Sequence, residues 1–299
     1  MDATPSVQLP PDAESGIPRH PPAPMTIHGA TFEWGRRTYV MGIINVTPDS
    51  FSGDGVMARA VDPIAEAVRQ AEQMAADGSD LIDIGGQSTR PGHRPIDPDE
   101  ERRRVEPVVR AVRSALPQMP LSIDTVRADV ARAALDAGAD LINDVWGVDA
   151  DADLLRLAAE RGVPLVVMHN RSEARYRNVV AEVLADLTRA IDRAVDAGIA
   201  WETLIVDPGI GFGKTPEQNL ALLHDMATMA TLGRPVLLGA SRKSTIGKVL
   251  DLPADQRLEG TLATTALAAA AGVDIVRVHD VEPNRRVARM ADAIVRRSA

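Results

Sequence analysis

The stretch LSIDTVRADVARAALDAGADLIND, residues 121–144, contains the pattern that decides the fold. An apolar strand-like run ends at Asp124, a helix-like segment follows and stops at Gly138, and a second apolar run leads to Asn143. The alternation occurs eight times, with strand-like runs IINV, LIDI, LSID, LIND, PLVVMH, LIVD, PVLLG and DIVRVH. Eight strand–helix units predict an α/β fold, a TIM (β/α)8 barrel whose site lies where strands end and loops begin.

Length and composition fit one large barrel. The chain has 299 residues, 45% of them hydrophobic and 3% aromatic, so Ala, Val, Leu and Ile must fill the core. It has no cysteine, which excludes disulfides, thiolate metal sites and a cysteine nucleophile. The net charge of −9 argues against nucleic acid or an anionic membrane as a partner. Without a membrane-length apolar run or a secretory signal, a cytoplasmic protein is predicted.

Two segments precede the barrel. Residues 1–24 hold seven prolines and few apolar groups, so we expect a disordered tail. Residues 26–40 alternate around Gly29 and Trp34 as a small hairpin would, and we expect this hairpin at the barrel end opposite the site. Residues 25–299 then form one barrel domain.

Capping residues predict the boundaries of several helices. Asp62 and Asp97 each precede a proline, as an N-cap residue precedes a proline at the first helical position. Thr215 and Gln218 have the spacing of a capping box. Glycines follow five amphipathic runs, as residues that end helices do, at Gly78, Gly138, Gly162, Gly198 and Gly272.

Polar residues stand at or just past the ends of the eight runs: Asn45, Asp83, Asp124, Asn143, His169, Asp207, Lys243 and His279. If Asp124, Asn143 and Asp207 point into one mouth, they match a flat heterocycle with several N–H donors, such as a guanine-like or pterin ring. Buried carboxylates are costly without hydrogen bonds, and such a ligand would supply them. The alternative is that one or more of them cap the following helix, most plainly Asp124.

Two long loops follow the first two runs, residues 45–57 and 85–96. In the first, Asn45 can hold a metal or phosphate oxygen and Asp49 can steady a developing cation, although the loop is also rich in ordinary turn residues. In the second, Thr89 and Arg90 are suited to bind an anion. The alternative there is a solvated basic loop.

The last two strand ends predict a phosphate site. Alternation puts Arg277 and His279 on the same face of a strand, and with Lys243 they make a pyrophosphate cradle on the usual phosphate side of the barrel. His279 could instead be a satisfied strand-end histidine, and Met168 is a pocket wall. The segment from Asp207 to Thr215 fails the P-loop pattern at Pro208, so we expect a glycine-rich loop placing Phe212 at the mouth.

In order along the chain, NVTPDSFSGDG, GGQSTRPG, SIDT, NDVWG, VVMHN, DPGIGFGKT, GASRKS and RVHDV resemble the dihydropteroate synthase family over residues 26–297. The resemblance implies that 4-aminobenzoate displaces pyrophosphate from 6-hydroxymethyl-7,8-dihydropterin diphosphate to give 7,8-dihydropteroate. It also implies Mg²⁺, a homodimer, and sulfonamide binding at the aminobenzoate site.

The resemblance also assigns roles to residues. The pterin would be bound by Asp124, Asn143, Met168, Asp207 and Lys243; the diphosphate by Asn45, Arg277 and His279, with Mg²⁺ at Asn45; and the aminobenzoate by Thr89, Arg90, Pro91, Phe212, Lys243 and Ser244. The catalytic residues would be Asp49, Lys243 and Arg277, on an SN1-like path. Gln87 departs from the family, which usually has Glu there, so salt bridging in that loop is in doubt.

Two other functions stay open. A pterin-dependent methyltransferase would share the barrel and the pterin-binding carboxylates, but would use no diphosphate cradle, so STRPG, SRKS and RVHD together argue against it. A catalytically silent pterin-binding paralogue would be expected to lose residues of the loops or the cradle, and these are present in the sequence.

Overall fold

The structure, a computed structural model, describes residues 21–47, 62–87 and 96–296. Four residues with predicted roles, Asp49, Thr89, Arg90 and Pro91, lie outside this range, as does the predicted tail up to residue 20. The chain enters the structure through the strands β1 (Met25–Ile27) and β2 (Ala30–Phe32), which pair antiparallel as the predicted hairpin. The turn between them is formed by His28 and Gly29, both in the left-handed region.

Eight parallel strands then form the barrel in the order β8-β7-β6-β5-β4-β3-β10-β9. Val206 in β8 bridges Val236, the residue before β9, so the two edges of the sheet meet and the ring closes. This confirms the predicted barrel, although the run PVLLG gives a strand of two residues only. The strands are β3 (Tyr39–Asn45), β4 (Leu81–Gly85), β5 (Leu121–Asp124), β6 (Leu141–Asp144), β7 (Leu165–Met168), β8 (Leu204–Asp207), β9 (Leu237–Leu238) and β10 (Ile275–Val278).

Helices surround the strands, and the three with predicted caps at Asp62, Asp97 and Thr215 begin where the sequence predicts. Asp62 accepts hydrogen bonds from two backbone amides of the first helix, and Thr215 and Gln218 make both bonds of a capping box. The helices are α1 (Pro63–Ala76), α2 (Pro98–Ala115), α3 (Ala128–Ala137), α4 (Ala152–Arg161), α5 (Val179–Asp196), α6 (Pro216–His224), α7 (Ser244–Leu250), α8 (Leu258–Ala270) and α9 (Val281–Val295). Within the part of the chain that the structure describes, no helix is long and apolar enough to cross a membrane.

The hairpin lies at one end of the barrel, and this too was predicted. Phe32 and Trp34 stack with ring centroids 5.5 Å apart, and Tyr39 at the start of β3 lies 4.8 Å from Phe32. The same buried cluster contains apolar side chains from the first half of the barrel strands: Met41, Leu81, Leu141, Val166, Ile205, Leu237 and Ile275. The N-terminal end of the barrel is therefore closed by apolar packing, which leaves the C-terminal end for polar groups.

Candidate active site

Strand register brings the polar strand ends together inside the barrel. Residues paired across parallel strands point to the same side, and Asp124 pairs with both Gly85 and Asn143 while Asn45 pairs with Gly85. On the far side of the ring Met168 pairs with Asp207. The predicted pterin-binding side chains thus project from neighbouring strands at the C-terminal end of the barrel, the end where such barrels carry their sites.

Arg277 of β10 joins two carboxylates across the barrel. Its Nε donates to Asp83 Oδ2 at 2.6 Å, and its Nη2 donates to Asp124 Oδ2 at 2.8 Å. Asp83 Oδ2 also accepts from Asn143 Nδ2 at 2.9 Å. Asp83 and Asp124 each keep a buried Oδ1 without a hydrogen-bond partner among the described residues. These two oxygens are acceptors that a ligand with N–H groups would satisfy.

The charges of this cluster do not balance, because one guanidinium faces two carboxyl groups. Burial raises the pKa of Asp124 to about 7, with Arg277 opposing the rise and Asp83 adding to it. For Arg277, burial lowers the pKa, but Asp83 and Asp124 outweigh it and the net pKa is raised. Arg277 therefore stays charged, while Asp124 can lose its proton when a donor-rich or cationic ligand arrives.

A second group lies beneath the glycine-rich loop 208–214. Burial raises the pKa of Asp207 although Lys243 lowers it, and Asp207 Oδ1 accepts from the amide of Gly209 at 2.7 Å. Lys243 donates to the carbonyl of Ile210, and its Nζ lies 4.3 Å from the centroid of the Phe212 ring. This places Phe212 against Lys243, next to the carboxylate that ends β8.

Asp207 and Lys243 face each other across Gly239. A Cβ atom at Gly239 would lie 3.7 Å from Asp207 Oδ2 and 3.8 Å from Lys243 Nζ, so both polar atoms lie next to this glycine. A neighbouring carboxylate and ammonium offer an acceptor and a donor to the same ligand.

The predicted phosphate side is built on an ordered strand end. Ser241 Oγ lies 2.9 Å from His279 Nδ1 and accepts from the His279 amide at 3.3 Å. Arg242, in the left-handed region with φ 56°, makes two hydrogen bonds to Asp280 at 2.6 and 3.0 Å. The hydroxyl fixes the His279 ring beside the loop that carries Lys243.

The remaining predicted site residues that the structure describes lie at the ends of strands or at the start of a helix. Met168 is 2% exposed at the end of β7, as a pocket wall would be. Asn45 ends β3 and is partly exposed, and Ser244 is the exposed first residue of α7. Gln87 Oε1 accepts from the amide of Ile96 at 3.1 Å and so joins the two ends of the segment 88–95, a bond that needs no charge.

The alternative role of Asp124 as a helix cap is wrong. The N-cap position of α3 is Arg127, where no side chain caps the helix, and Asp124 is bonded to Arg277 instead. Sequence reasoning noted Asp83 only as a strand-end residue and gave it no role. The signal was present, since Asp83 is an acidic residue inside an apolar run and lies two residues before Gly85, on the same side of β4.

Lys214 was also missed, because it was considered only as part of a P-loop pattern. Its Nζ lies 2.9 Å from His169 Nδ1 and from the carbonyl oxygens of Gly209 and Phe212. His169 is completely buried and its Nε2 lies 3.0 Å from Asp186 Oδ2. Lys214 Nζ thus bonds carbonyl oxygens of its own loop.

Comparison with known proteins shows the family to which the chain belongs. The family model of pterin binding enzymes matches residues 41–279. The dihydropteroate synthase of Clostridium beijerinckii is 47% identical over 274 residues, which cover 91% of this chain and 100% of that protein. Among solved structures, the dihydropteroate synthase of Clostridium difficile in the presence of pteroic acid has 45% identity and a TM-score of 0.84, covering 89% of this chain and 100% of that one.

The dihydropteroate synthase of Xanthomonas albilineans in complex with 7,8-dihydropteroate has 38% identity and a TM-score of 0.81, covering 91% of this chain and 98% of that one. The pterin-dependent methyltransferase is therefore set aside. The chain belongs to the pterin-binding enzymes and, among them, to the dihydropteroate synthases.

Proposed function

We propose that the polar barrel mouth joins 6-hydroxymethyl-7,8-dihydropterin diphosphate to 4-aminobenzoate, giving 7,8-dihydropteroate and pyrophosphate. The observation that carries the proposal is the interior cluster in which Arg277 bridges Asp83 and Asp124 while Asn143 donates to Asp83. A pterin ring has several N–H donors and one carbonyl, and this cluster supplies buried acceptors beside a cation.

The pterin is bound by the strand ends of β5, β6 and β8. The open Oδ1 of Asp124 and the amide oxygen of Asn143 accept from its N–H groups, and Asp207 with Lys243 contacts a second edge of the ring. Met168 packs against the ring face. Burial raises the pKa of both Asp124 and Asp207, because their charged forms lack solvation. A donor-rich ring would supply hydrogen bonds to both carboxyl groups, which supports this placement.

The diphosphate lies towards Asn45, Arg277 and His279. Mg²⁺ commonly uses one or two protein oxygens and completes its shell with substrate phosphates and water, and the amide oxygen of Asn45 is one such ligand. The described residues contain no group of three acidic or histidine side chains on one cation position, so Asn45 would share the ion with the diphosphate. When bound, Mg²⁺ would offset the charge that develops on the leaving diphosphate.

The aminobenzoate enters beside Phe212, Lys243 and Ser244, with Thr89, Arg90 and Pro91 completing its pocket, and sulfonamides would compete there. On an SN1-like path the carbon–oxygen bond to diphosphate breaks first, and the pterin delocalises the methylene cation. The aromatic amine then attacks that carbon and releases a proton. Asp49 steadies the cation, while the positive charges of Arg277 and Lys243 stabilise the leaving group.

The reaction is tested by measuring pyrophosphate release and dihydropteroate formation with Mg²⁺, with and without 4-aminobenzoate. Arg277→Ala and Lys243→Ala should each lower turnover at least about a hundredfold with little change in the circular dichroism spectrum, because each removes a positive charge from the mouth. The exposed Lys248→Ala is the matched control and should keep full turnover. Near-normal rates in either variant would remove that residue from the proposal.

We further propose that the enzyme is a cytoplasmic homodimer. The packed helices at the end of the chain expose several apolar side chains, which is typical of an interface: Val249, Leu250, Leu267, Met290, Ile294 and Val295. Leu267→Glu should give a monomer by light scattering. Val195→Glu, an exposed apolar position on α5, should leave the mass unchanged; a dimeric Leu267→Glu protein would place the interface elsewhere.

A further inference from the structure

A side chain outside the proposed pockets holds the loop that carries Phe212. Lys214 follows the glycine-rich segment, and its Nζ contacts the carbonyl oxygens of Gly209 and Phe212, both at 2.9 Å. The same Nζ lies 2.9 Å from His169 Nδ1 and 3.4 Å from the His169 carbonyl. Burial lowers the pKa of Lys214 to about 7, although the charge of Asp207 opposes the shift. With three N–H donors in its protonated form, this one group ties the two ends of the loop to each other and to the strand end of β7.

The loop has no room to move towards β7. A Cβ atom at Gly209 would lie 1.8 Å from the carbonyl oxygen of His169, and one at Gly213 would lie 2.1 Å from the carbonyl oxygen of Arg171. Both glycines are in the left-handed region, with φ 69° and 54°. Tyr176 adds a hydrogen bond from its hydroxyl to the carbonyl of Gly213 at 3.0 Å. The backbone is thus docked directly on the segment after β7.

The partner of Lys214 is itself fixed. Asp186 of α5 bonds His169 Nε2 and also accepts from Arg171 Nε at 2.8 Å. Burial, and after it the charge of Lys214, lowers the pKa of His169 to about 4, so the ring is neutral at physiological pH. With its proton on Nε2 towards Asp186, the ring presents Nδ1 as an acceptor to Lys214.

Lys243 contacts the same loop through other groups than Lys214 does. It donates to Ile210 and lies under the Phe212 ring, whereas Lys214 bonds the carbonyl of Phe212 itself. Lys243 therefore lies where we propose that substrates bind, whereas Lys214 lies between the loop backbone and His169.

We propose that Lys214 is a positioning residue for the second substrate: with His169 and Asp186 behind it, it holds the loop so that Phe212 forms a wall of the aminobenzoate pocket, while touching neither substrate. The inference rests on the proposed place of the aminobenzoate beside Phe212. Its signature is a larger effect on 4-aminobenzoate than on the pterin, because Phe212 belongs to the loop. Asp83 and Asp124, in contrast, are held by Arg277, and of the pterin site only Asp207 and Lys243 bond the loop.

The test is steady-state kinetics of the full-length Lys214→Met protein with both substrates. We expect the KM for 4-aminobenzoate to rise about tenfold or more, since a small displacement of a binding wall is costly. The KM for the dihydropterin diphosphate should rise at least about threefold less, because only Asp207 and Lys243 of the pterin site bond this loop. Lys214→Gln keeps two N–H donors and should recover much of the affinity. Lys248→Met is the control for loss of a lysine. Equal increases in both KM values, or none, would overturn the inference.

A double-mutant cycle separates positioning from general damage. His169→Leu should raise the KM for aminobenzoate in the same direction, and the double variant should be little worse than Lys214→Met alone, because the two residues act through one contact. Fully additive effects would contradict this. If Lys214→Met does not fold, the Lys214→Gln and His169→Leu proteins give the same comparison.

Phe212→Ala tests the proposed aminobenzoate pocket separately from the proposed role of Lys214. If Phe212→Ala leaves the KM for aminobenzoate unchanged, the proposed pocket is misplaced. If Phe212→Ala raises it and the Lys214 variants do not, the pocket stands and the role of Lys214 is wrong.

Discussion

At the scale of single residues, the defining feature is a guanidinium shared by two buried carboxyl groups. Asp83 is completely buried and bonds both Arg277 and Asn143 through one oxygen. The amide nitrogen of Asn143 is therefore committed to Asp83, which leaves its amide oxygen for a ligand. Asp83 thus decides whether Asn143 offers an acceptor or a donor to the pocket.

Asp83→Asn should weaken binding of the dihydropterin diphosphate roughly ten- to a hundredfold, since a charge-assisted hydrogen bond contributes about 1.5–3 kcal/mol. Calorimetric titration measures this directly. The control is Asp144→Asn, a buried carboxyl on β6 that accepts from the Trp146 amide, a bond that asparagine can keep. Unchanged affinity in Asp83→Asn would mean that Asn143 is oriented by something else.

Asp124 gives the stability of the protein a pH dependence with a defined sign. Its pKa rises from 3.8 to about 7 on folding, so between these values the folded state binds more protons than the unfolded state. The free energy of unfolding that Asp124 contributes therefore falls as pH rises from about 4 to about 7. Asp124→Asn should lose this dependence and gain stability relative to the parent across that window, as measured by urea denaturation at each pH. A parallel pH dependence in both proteins would contradict the prediction.

Single residues were also the scale at which sequence reasoning was least complete. The polar strand ends could be named, because a polar residue ending an apolar run is visible in the sequence. The bonding of Arg277 to Asp83 could not be, since it depends on which strands are neighbours and on their register. Lys214 was hidden for a similar reason, as its partner His169 is 45 residues away in the chain.

At the scale of elements, short capping signals located the helices well. The Thr215 hydroxyl accepts from the amide of Gln218, and the Gln218 side chain accepts from the amide of Thr215. Helix α6 therefore begins where the sequence predicts. Strand lengths were harder to predict. The run PVLLG looks like the other apolar runs, but only Leu237 and Leu238 form a strand, a difference set by pairing with neighbouring strands rather than by local composition.

The capping box should have a measurable share of stability. Thr215→Ala should lower the free energy of unfolding by about 1 kcal/mol, because an amide at the start of α6 loses its partner. Urea denaturation provides the measurement. Thr188→Ala is the matched control, since this exposed threonine within α5 bonds only a carbonyl of its own helix and should change stability by less than about 0.5 kcal/mol. A loss as large at Thr188 would show that the cap is not the cause.

At the scale of the whole molecule, the barrel has an apolar end, covered by the hairpin, and a polar end, where the strands finish. The hairpin and the first half of the strands form one apolar cluster, whereas the carboxyl ends carry the charges. Closure of the barrel was predictable from eight repeats of one pattern, and the hairpin from its alternation. The roles predicted for Asp49, Thr89, Arg90 and Pro91 stay predictions, as does the tail, of which only residues 21–24 are described.

This division predicts that stability and activity can be separated. Trp34→Ala should lower the free energy of unfolding by roughly 3–5 kcal/mol, because it removes a buried aromatic ring from the closed end. Turnover per folded molecule should stay near that of the parent, since the site lies at the other end. Trp201, 41% exposed, is the control and should cost clearly less when changed to alanine. A large fall in turnover of folded Trp34→Ala would mean that the two ends are coupled.

The scarcity of lysine has a practical consequence. The chain has three lysines: Lys214 is held behind the loop, Lys243 lies at the mouth, and Lys248 is exposed on α7. Apart from the amino terminus, an acylating reagent therefore meets one open amine, five residues along the chain from the mouth. A fluorophore or a surface coupled to a lysine side chain would therefore be attached at Lys248, a defined position on α7.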